Sequence, residues 1–329
     1  MSFGRRSSTV ALAAASTVLA FVATACGSSS SGGSAANTSP SANAKPAYCG
    51  GETGSGKVLV AAAQFSENET LANIYVDVLN ACGYTATTKT FASRETYYPL
   101  VKKNKVQVVP EYAATLTDFI NAQVNGPNAA SKASGDINTT MQNLRAELPS
   151  SLAVLNPAAA TDRNAFAVKT SFATANHITT LSDLAAYSKS HPLTLAGPPE
   201  CPSRPFCEPG LKKTYGMNIG KFQQTDADGP LTRKALTSGK ADVGLVFSSD
   251  GDLSSLGLTV LTDDKDLQAS DNVVPLVAKS LATGAAASAL NAVSAKLDQK
   301  TLQSLNAAVV VDKGTPEQVA QQFVQQEMS

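Results

Sequence analysis

The stretch "KVLVAAAQFSENETLANIYVDVLNACGYTATTKTF" (57–91) decides the fold. Its first seven residues, Lys57 followed by six apolar residues of which Val58 and Val60 are β-branched, predict a strand. Ser66-x-x-Glu69 then reads as a capping box opening a helix, with Ser66 as the cap. Leu71, Ile74, Val78 and Leu79 recur at helical spacing, and Gly83 stops the helix. "YTATTKTF" (84–91) resumes a strand. A strand, a helix and a second strand in so short a span predict a parallel pair with the helix on one face.

Outward from this unit the alternation continues. A helix is expected over 93–104, a strand in "KVQVV" (105–109), where Pro110 should end ladder pairing, and a helix from about Ala114. After an irregular stretch around "NPAAATDRN" (156–164) a second set follows. It comprises "AFAVKT", a helix opened by Thr180-x-x-Asp183, "LTLAG", "KFQQTD", a helix through "PLTRKALTSG", and "ADVGLVF". The chain then crosses back through "LTVLTDDKDLQASDNVVPLVA" and ends in alanine-rich helices, the last opened by Thr315-Pro316-Glu317. This pattern predicts an α/β protein of two lobes joined by two crossings: 57–161 with 270–329, and 162–269. Ligands of open α/β sheets sit beyond the carboxyl ends of the strands, which here means the cleft between the lobes. "NKVQVVPEY" and "GKADVGLVF" echo one another, each placing an aromatic seven residues after a strand-opening lysine. Tyr112 and Phe247 are therefore expected to face one cleft from opposite jaws.

The amino-terminal segment describes export. Arg5-Arg6 precede the apolar "VALAAASTVLAFV" (10–22) and "ATAC" (23–26), so residues 1–25 read as a signal peptide and Cys26 as a lipidated first residue. Residues 26–56, rich in Ser and Gly, read as a flexible tether. "GETGSGK" (51–57) precedes a strand rather than following one, so it belongs to the tether and not to a phosphate loop. Without the signal, 24 basic side chains face 26 acidic ones. That balance, with no basic stripe, argues against a nucleic-acid partner. Cys49, Cys82, Cys201 and Cys207 remain, an even number in an exported chain. Cys49 before the first strand and Cys82 at the end of the first helix both fall at the bottom edge of the sheet, while Cys201 and Cys207 close a Pro-rich loop. The expected disulfides are 49–82 and 201–207; zinc lacks a CxxC or histidine partner.

Five stretches carry a resemblance to a known family: "QFSENETLANIY" (64–75), "SRETYYPLVKKNKVQVVPEYAAT" (93–115), "GPPECPSRPFCEPGLKKTYG" (197–216), "DGPLTRKALTSGKADVGLVFSSD" (228–250) and "LTDDKDLQASDNVVPLV" (261–277). The chain resembles the osmoprotectant-binding proteins of ABC importers, the glycine betaine/choline type, and most of all their actinobacterial lipoprotein branch. The resemblance implies a type II periplasmic-binding fold that closes on its ligand and delivers it to a permease and its ATPase. Tyr112 would then be a wall of an aromatic box around a quaternary ammonium, a diffuse cation that ring faces attract. Thr115 and Arg204 would hold the ligand's carboxylate, and Glu200 would orient Arg204. Phe247 takes the place of a second box aromatic, or else serves the strand core. The N–H groups beside Ser66 would favour an anionic ligand group.

The chain also departs from the family pattern. A clamp lysine of some members aligns with Ala63, and two further box tyrosines align with Asn164 and Asp271. Asp271 either pairs with the ligand cation or caps a turn in "ASDN". These exchanges predict that a hydrogen-bonding zwitterion or a choline-like cation outcompetes glycine betaine. Glycine betaine, choline, carnitine and related solutes form the expected class; another zwitterion, such as an amino-acid betaine or amino acid, or a ligand-sensing envelope lipoprotein, is the alternative. An enzyme is not expected: there is no Gly-x-Ser-x-Gly elbow, and His177 and His191 lie in polar segments without a nucleophile. "LTDDKD" offers carboxylates, but a solvated loop has the same composition. No cofactor or metal is required, and the expected protein is a monomer held to the outer face of the cytoplasmic membrane through lipid alone.

Overall fold

The computed structural model describes residues 45–126, 129–199, 201–204, 206–226 and 229–328. Cys26 and Glu200 lie outside the described residues. The strands are β1 (Lys57–Ala63), β2 (Thr85–Phe91), β3 (Val108–Tyr112), β4 (Leu152–Val154), β5 (Asn164–Lys169), β6 (Leu193–Gly197), β7 (Ile219–Gln224), β8 (Val243–Phe247), β9 (Leu258–Val260) and β10 (Val273–Ala278). The helices are α1 (Ser66–Ala81), α2 (Arg94–Lys102), α3 (Ala113–Asn125), α4 (Ile137–Glu147), α5 (Thr170–Asn176), α6 (Leu181–Ser188), α7 (Glu208–Gly210), α8 (Pro230–Thr237), α9 (Gly284–Lys296), α10 (Gln299–Val310) and α11 (Pro316–Glu327). No helix among the described residues is long and apolar enough to cross a membrane.

Two sheets result, ordered β2-β1-β3-β10-β4 and β7-β6-β8-β5-β9. In each, three strands run parallel, and the remaining two join through an antiparallel pairing. Alternation along β1 explains how one strand serves two cores. Val58, Val60 and Ala62 pack with α1, α9, α10 and α11, while Leu59, Ala61 and Ala63 pack with α2, α3 and α4, as a period of two demands. The second sheet is likewise covered on both faces, by α6 with the Leu211–Tyr215 turn and by α8. The fold is the two-sheet α/β architecture that the strand order implied.

Two local expectations fail. Ser66 does not cap α1: Phe65 occupies the cap position without a side-chain bond, and Ser66 is already helical. Asn68 accounts for this, because its Oδ1 accepts the Ala63 N–H at 2.7 Å and draws the helix directly onto the strand end. Pro110 does not end β3 either. It lies opposite Pro275 in the antiparallel ladder with β10, with both carbonyls bonded outside the pair. The Pro110 carbonyl accepts Asn68 Nδ2 at 2.9 Å, and the Pro275 carbonyl accepts the Leu155 N–H at 3.0 Å. At such a position neither strand needs a donor facing its partner, so two prolines are tolerated.

The segments that connect the sheets are themselves paired. Thr161 bridges Asn272, the Asp162 N–H donates to the Asp271 carbonyl at 3.1 Å, and the Val273 N–H donates to the Ala160 carbonyl at 3.0 Å. The disulfides are Cys49–Cys82 and Cys201–Cys207. The second closes a loop of sequence separation 6, for which chain entropy gives about 2 kcal/mol of stabilisation. Cys201→Ser/Cys207→Ser is therefore expected to lower unfolding stability by about that amount, read from urea denaturation. An unchanged midpoint would contradict it.

Candidate functional site

The carboxyl ends of β1, β2, β3 and β8 meet the two crossings around a cavity of about 670 Å³. This convergence follows from the fold, since every parallel strand leaves its sheet on that side. Tyr112, Thr115, Asn164, Phe247 and Asp271 all line the cavity. Ser66 and Arg204 are not among its lining residues, and Arg204 is exposed in the turn closed by Cys201 and Cys207.

The aromatic complement is larger than the sequence indicated. Phe65 follows the end of β1, and its ring stacks on Tyr112 with centroids 6.1 Å apart and planes inclined by 29°. Phe206 enters from the cysteine loop, whose carbonyl at that residue accepts Gln268 Nε2 at 2.7 Å. Phe65, Phe206 and Phe247 are 43%, 46% and 38% exposed. Large apolar side chains left this open around one concavity mark a site for something to cover them. Asn164 stands beside Phe247, since the two are register partners across β5 and β8.

The polar lining carries charge of both signs, with Asp118, Asp162 and Asp271 beside Arg94 and Arg163. Burial pushes Asp271 up to about 7, opposed by the backbone N–H of Thr115. That N–H donates to Asp271 Oδ1 at 3.0 Å, so Asp271 caps α3 from 156 residues away rather than a turn in its own segment. Asp162 is raised as well, first by burial and then by Asp250, while the Ser249 hydroxyl opposes the shift. Neither carboxyl has a basic partner at salt-bridge distance among the described residues.

The basic side chain closest to chemistry is one the sequence reading overlooked. Arg94, at the start of α2, lines the cavity and grips Glu111 through Nε at 3.0 and 3.1 Å and Nη2 at 2.7 Å. Tyr97 Oη also donates to Glu111, at 2.7 Å. Arg94 Nη2 reaches Thr115 Oγ1 at 2.9 Å, so the threonine is already engaged within the protein. The signal was present in "SRETYYP", where a lone arginine opens a helix directly after a strand, and in the charged Glu111 beside a proline in a buried strand. His177 and His191 are elsewhere: His177 ends α5 in a left-handed conformation, and His191 stacks on Tyr187. Asp263 of "LTDDKD" closes its own loop by accepting Tyr215 Oη and the N–H groups of Leu267 and Gln268.

In chemical terms the cavity offers ring faces and desolvated carboxyls, which suit a bulky cation that cannot donate hydrogen bonds. Comparison with known proteins agrees with that chemistry. Residues 56–326 match the OpuAC family, the substrate binding domain of ABC-type glycine betaine transport system. The glycine betaine-binding protein YehZ of Escherichia coli K12 is 28% identical over 271 residues, which cover 79% of this chain and 87% of that protein. The solved structure of apo YehZ from Escherichia coli aligns with TM-score 0.71 at 25% identity, over 82% of this chain and 98% of the other. A solved glycine betaine/carnitine/choline ABC transporter structure aligns with TM-score 0.71 at 21% identity, over 82% and 97%; at that identity the likeness concerns the fold.

Proposed function

This chain belongs to the family of substrate-binding domains of ABC-type glycine betaine transport systems, and from that premise we propose that it captures a quaternary-ammonium or zwitterionic compatible solute outside the cell and hands it to a membrane permease driven by an ATPase. It binds without chemistry, as a monomer. The observation that carries this reading is the cavity, in which Phe65, Tyr112, Phe206 and Phe247 surround space beside the carboxyls of Asp162 and Asp271. Phe65 and Phe206 offset the box aromatics that Asn164 and Asp271 replace. A cation between these rings gains roughly 0.5–2 kcal/mol per face, according to its desolvation.

The anionic end of the ligand lies toward Thr115 and Arg94, and Arg204 reaches it when the jaws close, with Glu200 as its orienting partner. The jaws are residues 57–161 with 270–329, and 162–269, each built on one of the two sheets. Closure follows from binding because each jaw alone makes only part of the ligand's contacts. Asn164 and Asp271 give a ligand with a hydroxyl or N–H near its cation additional partners, so choline-like solutes compete with glycine betaine. A thermal-shift panel of glycine betaine, choline, carnitine, amino-acid betaines and free amino acids tests the class. A true ligand at a hundred times its Kd adds about 2.7 kcal/mol of apparent stability and compacts the protein in small-angle scattering. A panel with no stabilising betaine or choline would sink the reading.

The lipoprotein-type signal supports attachment at the outer face of the cytoplasmic membrane through lipid on Cys26. Cys26→Ser is expected to move the protein from the membrane fraction to the soluble fraction. Retention in the membrane would identify another anchor.

A further inference from the structure

Behind Tyr112 a polar chain runs from one sheet toward the other, and ligand capture as described above makes no use of it. Glu67 of α1 is buried. Its Oε1 accepts Tyr112 Oη at 2.7 Å, and its Oε2 accepts Asn306 Nδ2 of α10 at 2.6 Å. The same amide nitrogen donates to the Ser249 carbonyl at 2.7 Å. A backbone carbonyl only accepts, so this bond fixes the orientation of the amide. Ser249 Oγ in turn donates to Asp162 Oδ1 at 2.8 Å. The Ser249 segment sits tightly on α10, since a Cβ added at Gly251 would collide with the backbone of Gln303 and Ala307. Ser249 follows Phe247 by two residues. The chain thus ties the wall on the first sheet, Tyr112, to the segment that carries Phe247 on the second.

We propose that, within the cation site inferred above, Glu67 is a positioning residue that sets Tyr112 against Phe247, and that it does so only as a carboxylate. A proton on Glu67 is donated either to the Tyr112 oxygen, which also has Asn68 Nδ2 at 3.5 Å, or to the Ser249 hydroxyl, which also bonds this carboxyl; either way the phenol no longer donates to a carboxylate. A phenol that donates to a carboxylate presents a more electron-rich ring than one that accepts from a carboxylic acid. Protonation therefore weakens the face that meets the quaternary ammonium. A quaternary ammonium has no proton of its own to exchange, so acid acts on the wall and not on the cation.

The groups facing Glu67 are Tyr112 from β3, Asp162 from the first crossing, the neutral Asn306 from α10 and the Ser249 hydroxyl after β8; Asp162 faces Asp250, which Arg233 of α8 pairs. Burial, reinforced by Asp162, pushes Glu67 up to about 7, which places the transition near neutrality. Asp271, also pushed up to about 7 by burial, is the competing source of pH dependence in the cavity.

Calorimetric titration of the full-length chain with glycine betaine and with choline chloride, from pH 8.5 to 5.5, tests this. If only the ionised form is competent, wild-type affinity falls about thirty-fold across that range. Asp271→Asn is expected to keep the slope. Glu67→Gln is expected to bind weakly at every pH with a flat profile, because an amide cannot accept from both Tyr112 and Asn306. A wild type whose affinity ignores pH overturns the proposal while leaving the cation reading intact, and that result does not require any variant to fold. A slope kept by Glu67→Gln and lost by Asp271→Asn overturns it too. Wild type that binds neither probe at any pH overturns the cation reading and this proposal with it.

Discussion

Tyr112→Ala is expected to lower affinity for a quaternary-ammonium ligand by roughly thirty-fold, since the ring face contributes on the order of 2 kcal/mol to a desolvated cation. The alanine also leaves the buried Glu67 without its hydroxyl donor, which takes about 1–3 kcal/mol from folding stability in the free and the bound protein alike. The stacked Phe65 also loses the surface it rests on. Tyr112→Phe separates the terms, since it keeps the face and removes the phenol bond to Glu67; it should recover only part of the affinity that alanine loses and bind with a flat pH profile. Isothermal titration of the three proteins decides. An alanine variant within threefold of wild type would remove Tyr112 from the site.

Arg94→Ala is expected to cost about 3–5 kcal/mol of folding stability, because removing one partner of a buried ion pair strands the other. Glu111 is only 1% exposed and sits mid-ladder in β3, so it has no route to solvent. The variant would leave it with the Tyr97 hydroxyl and the Tyr112 N–H as its remaining donors. Thr115 Oγ1 would lose its guanidinium donor as well, so ligand affinity should fall alongside stability. Urea unfolding measures the first effect. The pair Arg94→Met/Glu111→Leu should recover much of the loss, since replacing both charges removes the uncompensated one. A single variant that unfolds at the wild-type midpoint would show that water reaches Glu111.

The sequence alone determined whatever depends on neighbours within a few residues. The apolar run of β1 and the helical spacing of Leu71, Ile74, Val78 and Leu79 identified the first βα unit, because strand and helix patterns are local properties of the backbone. Gly83 marked the stop: its φ is +103°, and a Cβ there would lie 2.8 Å from the Gly54 carbonyl oxygen. The end of β8 was legible for the same reason, and the echo between "NKVQVVPEY" and "GKADVGLVF" anticipated that Tyr112 and Phe247 line one cavity. The tertiary structure decided what depends on partners far along the chain. The start of α1 fell one residue earlier than Ser66 as cap required, with Phe65 at the cap position, because Asn68 Oδ1 accepts the Ala63 N–H at the strand end, which only the strand's position settles. β3 continued through Pro110 because β10, more than 160 residues later, brings Pro275 opposite it. Phe65 and Phe206 flank polar loops and show no periodicity, so nothing local marks them as walls. The bonds that support the site join Arg94 to Glu111, Thr115 to Asp271 and Glu67 to Asn306, across separations of 17, 156 and 239 residues. A buried charge finds its partner through the packing of whole elements, and no spacing within a single element encodes that meeting.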